Sequence, residues 1–537
     1  MNLIGRLFAL VVVCSPTLLQ SQQASDPYAE LEGRVIQNVV VETDDVFDTS
    51  KEDESSFVFR MANRFHIDTR RATVVSQLLF KPGEKLSPQK VAESERTLRT
   101  NPYLFDASIT PIENDDGTVD VLVKTRDNWT LFPEFTFSNA GGESETSFGI
   151  EEQNLLGTGT RLNVSREDDR ERTSSVFEIS SENIGRHRIS AAYSFSDLSD
   201  GQSQFIDVQR PFFSFDTKWA AGASLFGDER IDTLYSVGEP AVRYLRDQEF
   251  FRGFAGLSDG LVNGWVTRWS VGYIFDNREF DPVFEEGLIP ITPEDRRLSY
   301  PFVQYQRIQD KFVETRNLNQ ILQTEDISLG TSYQLSLGVV AESFDADRNA
   351  LILEGGYRRG FGSPERALWL LSTDLSTRVE SGTLTNTVLS SSLEFYKRQS
   401  EKRVFFAAMR ARFGDDLDLD NFSPVGGETG LRGFPLNFLN AESTALVTVE
   451  QRFYTDYYPF KLFRVGAAAF FDAAYGIGAD PVGFESDRLR SNVGVGLRFS
   501  STRSSSNRIF HLNIAAPTTG ADGVDDVQIQ FFGQQRF

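Results

Sequence analysis

The chain has 537 residues, with 77 acidic against 54 basic side chains and a formal net charge of −23. An acid surplus of this size argues against a nucleic-acid partner, because phosphate backbones are gripped by Lys and Arg, and the length calls for more than one domain. A mean hydropathy of −0.30 and the lack of a long apolar run past the N-terminus argue against membrane helices. They do not exclude a β-barrel, whose strands cross a bilayer with about 9–11 alternating residues.

Residues 1–24 place Arg6 ahead of the apolar run Leu7 to Val13 and a Gln- and Ser-rich stretch, the layout of a secretory signal with cleavage near Ala24. Cys14 is the only cysteine; bulky Val13 before it reads against a lipoprotein signal, so the mature chain is expected to be exported without disulfides.

Residues 33–126 mix strand and helix signals. Arg34 to Glu42 reads as a strand, and the acidic tract Thr43 to Ser56 as a loop. Thr69 to Phe80 reads as a helix ending at Lys81-Pro82-Gly83. A second helix starts with Ser87 as N-cap and Pro88 in the first turn, and runs through Leu98. Phe105, Ala107 and Ile109 alternate with polar neighbours, as do Val119, Val121 and Val123 after the Asp116-Gly117 turn. The expected order is β-α-α-β-β.

From 128 to 537 the helical signal disappears. Short alternating segments recur between Gly, Asn, Asp and Ser, for example Leu162/Val164, Phe177/Ile179, Leu335/Leu337/Val339 and Val493/Val495/Leu497/Phe499. Arg161, Asn163 and Ser165 interleave with Leu162 and Val164, which suits a polar lumen better than the dry core of a sandwich. The fold class is therefore mainly β, an antiparallel transmembrane barrel behind a small α+β domain. Phe212-Phe213, Phe250-Phe251, Phe405-Phe406 and Phe470-Phe471 read as interfacial girdles near strand ends, and Val527, Ile529 and Phe531 as a last strand.

Within this region Gly426-Gly-Glu-Thr-Gly-Leu-Arg-Gly-Phe-Pro435 stands apart. Its glycines, Gly427 and Gly433 among them, allow a tight reversal that lays Arg432 against the rest of the fold. Pro133 in the first barrel strand and Gly533 in the last weaken opposite sides of one closure, a candidate lateral seam.

Together these features resemble the bacterial surface antigen superfamily of outer-membrane barrels (BamA, TamA and FhaC type). Val74 to Asn128, with Pro82-Gly83-Glu84, Glu93-Ser94-Glu95-Arg96 and Tyr103 to Ala107, is similar to a polypeptide-transport-associated (POTRA) domain. Glu152 to Gly159 resembles an early barrel motif, Leu431-Arg-Gly-Phe434 the signature loop, and Ile529 to Phe537 the last strand. The resemblance implies about 16 strands and a loop folded into the lumen, with Arg432 meeting Phe470 and Asp472 of the Phe470-Phe471-Asp472 strand motif. Leu431 stands where valine is commoner, and one POTRA-like unit stands where BamA has five and FhaC two. The resemblance implies insertion or translocation of polypeptides, with unfolded outer-membrane or secreted chains as clients that add a strand to the periplasmic domain. Outer-membrane lipid and periplasmic or lipoprotein accessory subunits are the other expected partners.

Two other classes compete. A passive pore or structural barrel has the same alternation but no use for a periplasmic receptor. An outer-membrane hydrolase would draw on Gly256-Leu-Ser-Asp-Gly260, but Leu261 to Trp265 does not supply the helix that a nucleophile elbow needs. Neither catalytic residues nor a cofactor is expected. His66, His187 and His511 have no metal-ligand spacing, and Asp416, Asp418 and Asp420 imitate a calcium loop only at its start, since Asn421 and Gly427 replace its glycine and glutamate.

Overall fold

Alternating valines make the sheet of the small domain. In the computed structural model, which describes residues 28–140, 142–483, 488–504, 509–520 and 524–534, β1 (Ile36–Asp44) runs parallel to the central β3 (Val119–Asp127). β2 (Leu104–Glu113) pairs with β3 antiparallel on the other side. The signal segment 1–24 and Gln535 to Phe537 lie outside the described residues. Val119, Val121 and Val123 are fully buried against Val74, Leu78, Leu98 and Ile109. Burial of each such side chain contributes roughly 1.5–3 kcal/mol.

The domain has three helices, α1 (Phe57–Phe65), α2 (Arg71–Gln77) and α3 (Pro88–Arg99); α2 and α3 pack on the sheet through Val74, Val91 and Leu98, whereas α1 buries no residue. α1 is an addition to the expected order. Ser56 caps it by accepting the Phe59 N–H, and Phe59 stacks on Phe47 at 4.4 Å, a contact from the tract read as loop. α2 is shorter than the expected helix. α3 starts at Pro88 after Ser87 as the sequence suggests, although the Ser87 side chain makes no cap bond. Phe105 leaves the alternation because the strand bulges between Leu104 and Asp106, turning its ring under the Arg126 guanidinium at 3.6 Å.

The remaining chain forms one antiparallel sheet of 20 strands, from Leu131–Ala140 to Gln528–Gln534. The sheet forms a β-barrel. Its wall is apolar outside and polar inside: Val493 and Val495 are 46% and 57% exposed, while Asn492, Arg498 and Asn513 are fully buried. The first and last strands meet at a single described pair, Phe531↔Asn139, whereas other neighbouring strands run in register over seven or more pairs. Twenty strands replace the expected 16. Barrels grow by whole hairpins, and motifs near the ends of the chain do not report how many lie between them. The girdle reading is corrected in part: Phe250-Phe251 and Phe470-Phe471 lie inside the strands Glu239–Val262 and Phe463–Ile477, while Phe212-Phe213 follows the strand Gly201–Arg210 and Phe405-Phe406 lies at the start of Arg403–Asp415.

Two connections leave the wall. Residues 416–442, joining strands Arg403–Asp415 and Ser443–Tyr454, fold inward from the end opposite the small domain. Residues 310–331 fold inward from the small-domain end and carry a short hairpin, Phe312–Thr315 with Glu325–Ser328.

Candidate functional site

The 416–442 loop is closed by its own backbone. Val425 and Leu439 exchange two N–H to carbonyl bonds at 2.8 Å each, Gly427 N–H donates to Pro435 O at 3.1 Å, and Leu431 N–H to Gly426 O at 2.9 Å. Gly430 has φ +115, and a Cβ on Gly426 would lie 2.4 Å from Pro435 O, so neither position takes a larger residue unstrained. Leu431, Phe434, Phe438 and Leu439 pack with Leu446 and Ala474 of the wall. This apolar patch holds the loop in place and delivers Arg432 to its partners.

Arg432 is buried against the strands Ser443–Tyr454 and Phe463–Ile477. Its Nε and Nη2 donate to Asp472 Oδ2 and Oδ1 at 2.8 and 2.7 Å, and its Nη1 donates to Glu450 Oε1 at 2.7 Å. The guanidinium lies 3.5 Å above the Phe470 ring. Sheet register explains the cradle: Glu450 is paired with Phe470 and Thr448 with Asp472, so all four point one way. Asn492 Nδ2 also donates to Asp472 Oδ2, at 2.9 Å. The Phe470 ring lies over Gly494, where a Cβ would come within 2.4 Å of Cζ, and Gly433 sits where a Cβ would meet Asn492 Cβ at 2.5 Å. A bidentate carboxylate fork with a stacked ring uses the whole planar face of the guanidinium, which lysine does not reproduce.

The second insert reaches the same place from the other side. Arg452 Nε donates to Glu450 Oε2 at 2.8 Å and its Nη1 to Leu318 O, also at 2.8 Å. The Tyr454 hydroxyl donates to Leu318 O at 3.0 Å, and Leu318 and Ile321 pack against Tyr396, Phe406 and Tyr454. The base of this insert is gripped by the small domain. Arg99 on α3 makes a fork to Asp326 at 2.8 and 2.7 Å and reaches Glu314 at 2.7 Å, while Arg96 lies 4.3 Å over the Phe312 ring. A run of bonded groups thus links α3 through Asp326, the 310–331 insert, Arg452 and Glu450 to Arg432.

The sequence does not single out Glu450 and Arg452. Their signal was there, since Val447, Thr448, Val449, Glu450, Gln451 and Arg452 put charges at alternate positions of an otherwise strand-like run, but two distant inserts had to be placed before either had a partner. In the acidic run of the loop Asp418 pairs with Arg378 at 2.9 Å, and Asp420 with Arg296 at 2.6 Å and Arg278 at 3.1 Å.

Gly256 to Gly260 lies within the strand Glu239–Val262, with no helix after it. Pro133 pairs with Ile150 of the second barrel strand and Gly533 with Phe510 of the penultimate one. The two candidate seam residues are not opposite each other, because continuing the register from Phe531↔Asn139 sets Gly533 across from position 137. His66 Nε2 lies 3.0 Å from Asp127 Oδ2, which also accepts the Thr69 N–H at 2.7 Å where the small domain joins the barrel.

No protein-family model matches the chain, and no curated protein matches it. Among solved structures it is similar to CdiB from Acinetobacter baumannii, with 12% identity, 93% of this chain and 73% of that chain covered, and a TM-score of 0.46. CdiB from Escherichia coli matches with 11% identity, 97% and 92% coverage and a TM-score of 0.43. BamA from Haemophilus ducreyi lacking POTRA domains 1–3 matches with 13% identity, 93% and 84% coverage and a TM-score of 0.39.

Proposed function

We propose that this chain inserts or translocates polypeptides at the bacterial outer membrane. Residues 33–126 would act as a periplasmic POTRA-type receptor, and 128–537 as the barrel. One observation carries the reading: segments of the chain itself enter the lumen from both ends and are held on one strand face, the 416–442 loop by Glu450 and the 310–331 insert by Arg452, which Glu450 also bonds. A passive pore works by leaving such a path open. An assembly or transport barrel needs a path that stays shut until a client arrives.

Two further features support it. β1 is an edge strand of the small sheet, and Val40 and Glu42 are exposed along it, so an unfolded client has backbone groups to pair with. Among the described residues one pair joins the first and last barrel strands, which makes that seam the weakest place in the wall. In this reading Arg432, held by Asp472, Phe470 and Glu450, keeps the loop seated, and Gly427, Leu431, Gly433 and Phe434 shape it.

The test is the outer-membrane protein content of cells with and without the chain. Broad losses support general assembly, and one missing protein supports a dedicated client. An unchanged profile, together with failure of a photo-crosslinking residue at Val40 to capture any polypeptide, overturns the proposal.

A further inference from the structure

Where the small domain meets the barrel there is a cavity of about 1200 Å³, lined by Leu78, Leu79, Lys81, Arg188, Arg210 and Trp219 among others. Arg188 occupies a turn with φ 52 between two strands, and its carbon Cζ lies 4.3 Å from the Phe213 ring centroid. Arg210 approaches the same ring at 5.1 Å and stacks on Trp219 at 4.0 Å. Two guanidinium groups therefore flank one phenyl ring. Among the described residues neither makes an ion pair, although Lys81 has Glu84 and Lys90 has Asp216. Arg188 spends one N–H on Leu78 O at 2.5 Å and Arg210 one on Trp219 O, so most of their donors are left over. Like charges on one ring, with no described carboxylate within ion-pair distance although Glu84 and Asp216 line the cavity, leave room for an anion.

The position says which anion. Arg210 pairs with Ala221, and Val208 with Ala223. Val208, Trp219 and Leu225 are each 48–49% exposed on the outer wall, so this register faces lipid. Going down the outward row of the strand Gly201–Arg210, Ile206 and Val208 are apolar and Arg210 is the first charge. Arg188 stands just before Ile189, which opens the neighbouring strand. Both cations thus mark the lower edge of the apolar band, the depth at which a bilayer places its phosphates, beside the tryptophan usual at that depth. A segment of a soluble client would have no reason to meet the outer wall there.

We propose that Arg188 and Arg210 bind the phosphate of a phospholipid headgroup in the leaflet that faces the small domain. The acyl chains would lie along the wall above Val208 and Ala221, and the Leu78 to Lys81 segment that follows α2 would close beneath the headgroup. Lipid then clamps α2 to the rim. The inference rests on the membrane-spanning wall and not on the transport reading.

The full chain would be reconstituted in nanodiscs of phosphatidylglycerol and phosphatidylcholine, extracted into mild detergent and weighed by native mass spectrometry. Retention of phosphatidylglycerol is expected, falling about tenfold or more in Arg188→Ala/Arg210→Ala, since charged hydrogen bonds of this kind are each worth about a factor of ten. Arg188→Lys/Arg210→Lys should keep part of it, and Arg166→Ala elsewhere on the barrel all of it. Heat-modifiable migration of every variant reports whether the barrel is folded. Equal retention by the folded double alanine variant overturns the proposal. So does displacement of the lipid by inorganic phosphate alone, which marks a free-anion site, or by a peptide with a free carboxyl terminus, which marks a client site.

Discussion

Arg432 and Arg452 share one carboxylate, each holding a different oxygen of Glu450, at 2.7 and 2.8 Å. One arginine belongs to a loop that enters from the far end of the barrel and the other holds an insert that enters from the near end. The loop bonds Glu450 directly, and the insert bonds Arg452, two residues along the same strand, so Glu450 couples the two anchor points.

Removing Arg432 leaves Asp472 and Glu450 buried beside fewer cations. Breaking a buried pair from one side costs about 3–5 kcal/mol, more than the apolar patch of one short loop readily offsets. Arg432→Ala and Asp472→Ala should therefore release the 416–442 loop and reduce function while export and barrel folding persist. Protease cleavage within 416–442 on intact cells, set beside heat-modifiable migration, measures both. Wild-type cleavage and activity in both variants would show that the pairing does not hold the loop.

Gly494→Ala tests the cradle without touching a charge. The new methyl needs the space of Phe470 Cζ, 2.4 Å away, so the ring must leave its place under Arg432. Overpacking of this sort costs about 1–3 kcal/mol, and loop release should be partial, weaker than in Arg432→Ala. A variant as protected as wild type would mean that the ring moves without cost.

Arg99 sits where α3 grips the 310–331 insert through Asp326 and Glu314. Arg99→Asp should speed hydrogen exchange across residues 312–328 at least several-fold, and adding Asp326→Arg should restore much of the protection, because the fork is rebuilt in reverse. Protection that ignores both changes would place the grip elsewhere, in the Arg96 contacts.

The docked face of α3 should depend on pH. Burial pushes the Glu93 carboxyl above the usual carboxylate range, against the opposing bonds from the Phe215 N–H and the Gln89 side chain, and burial does the same to Glu95. The folded domain then keeps these protons at pH values where the unfolded chain has lost them. Their stabilising contribution is full in acid and is lost as pH rises through the raised values. Thermal unfolding compared at about pH 5 and about pH 7 should show a smaller acid gain in Glu93→Gln than in wild type.

The seam can be locked directly. Cysteines at Asn139 and Phe531 face each other at the described closing pair, and the only native cysteine is Cys14 in the expected signal segment. Oxidation should stop function and reductant restore it. Full activity in the oxidised, crosslinked protein would remove lateral opening from the mechanism.

The alternating runs and the Ser87-Pro88 start announced a small α/β unit followed by a barrel, because period-two and period-3.6 burial are local properties. The glycine-rich stretch also announced a tight loop, and the resemblance supplied the trio Arg432, Phe470 and Asp472, which the structure brings into contact. Local pattern stopped there. Helix α1 is not legible in the sequence because it buries no residue and its described ring contact is to Phe47, in a tract whose charges read as solvent-facing. The strand number, the thin described seam, the coupling of the two inserts through Glu450 and Arg452, and the placing of Arg188 and Arg210 on one ring were decided only by tertiary structure. Each depends on which distant segments a closed ring forces together, and no window of sequence contains both halves of such a contact.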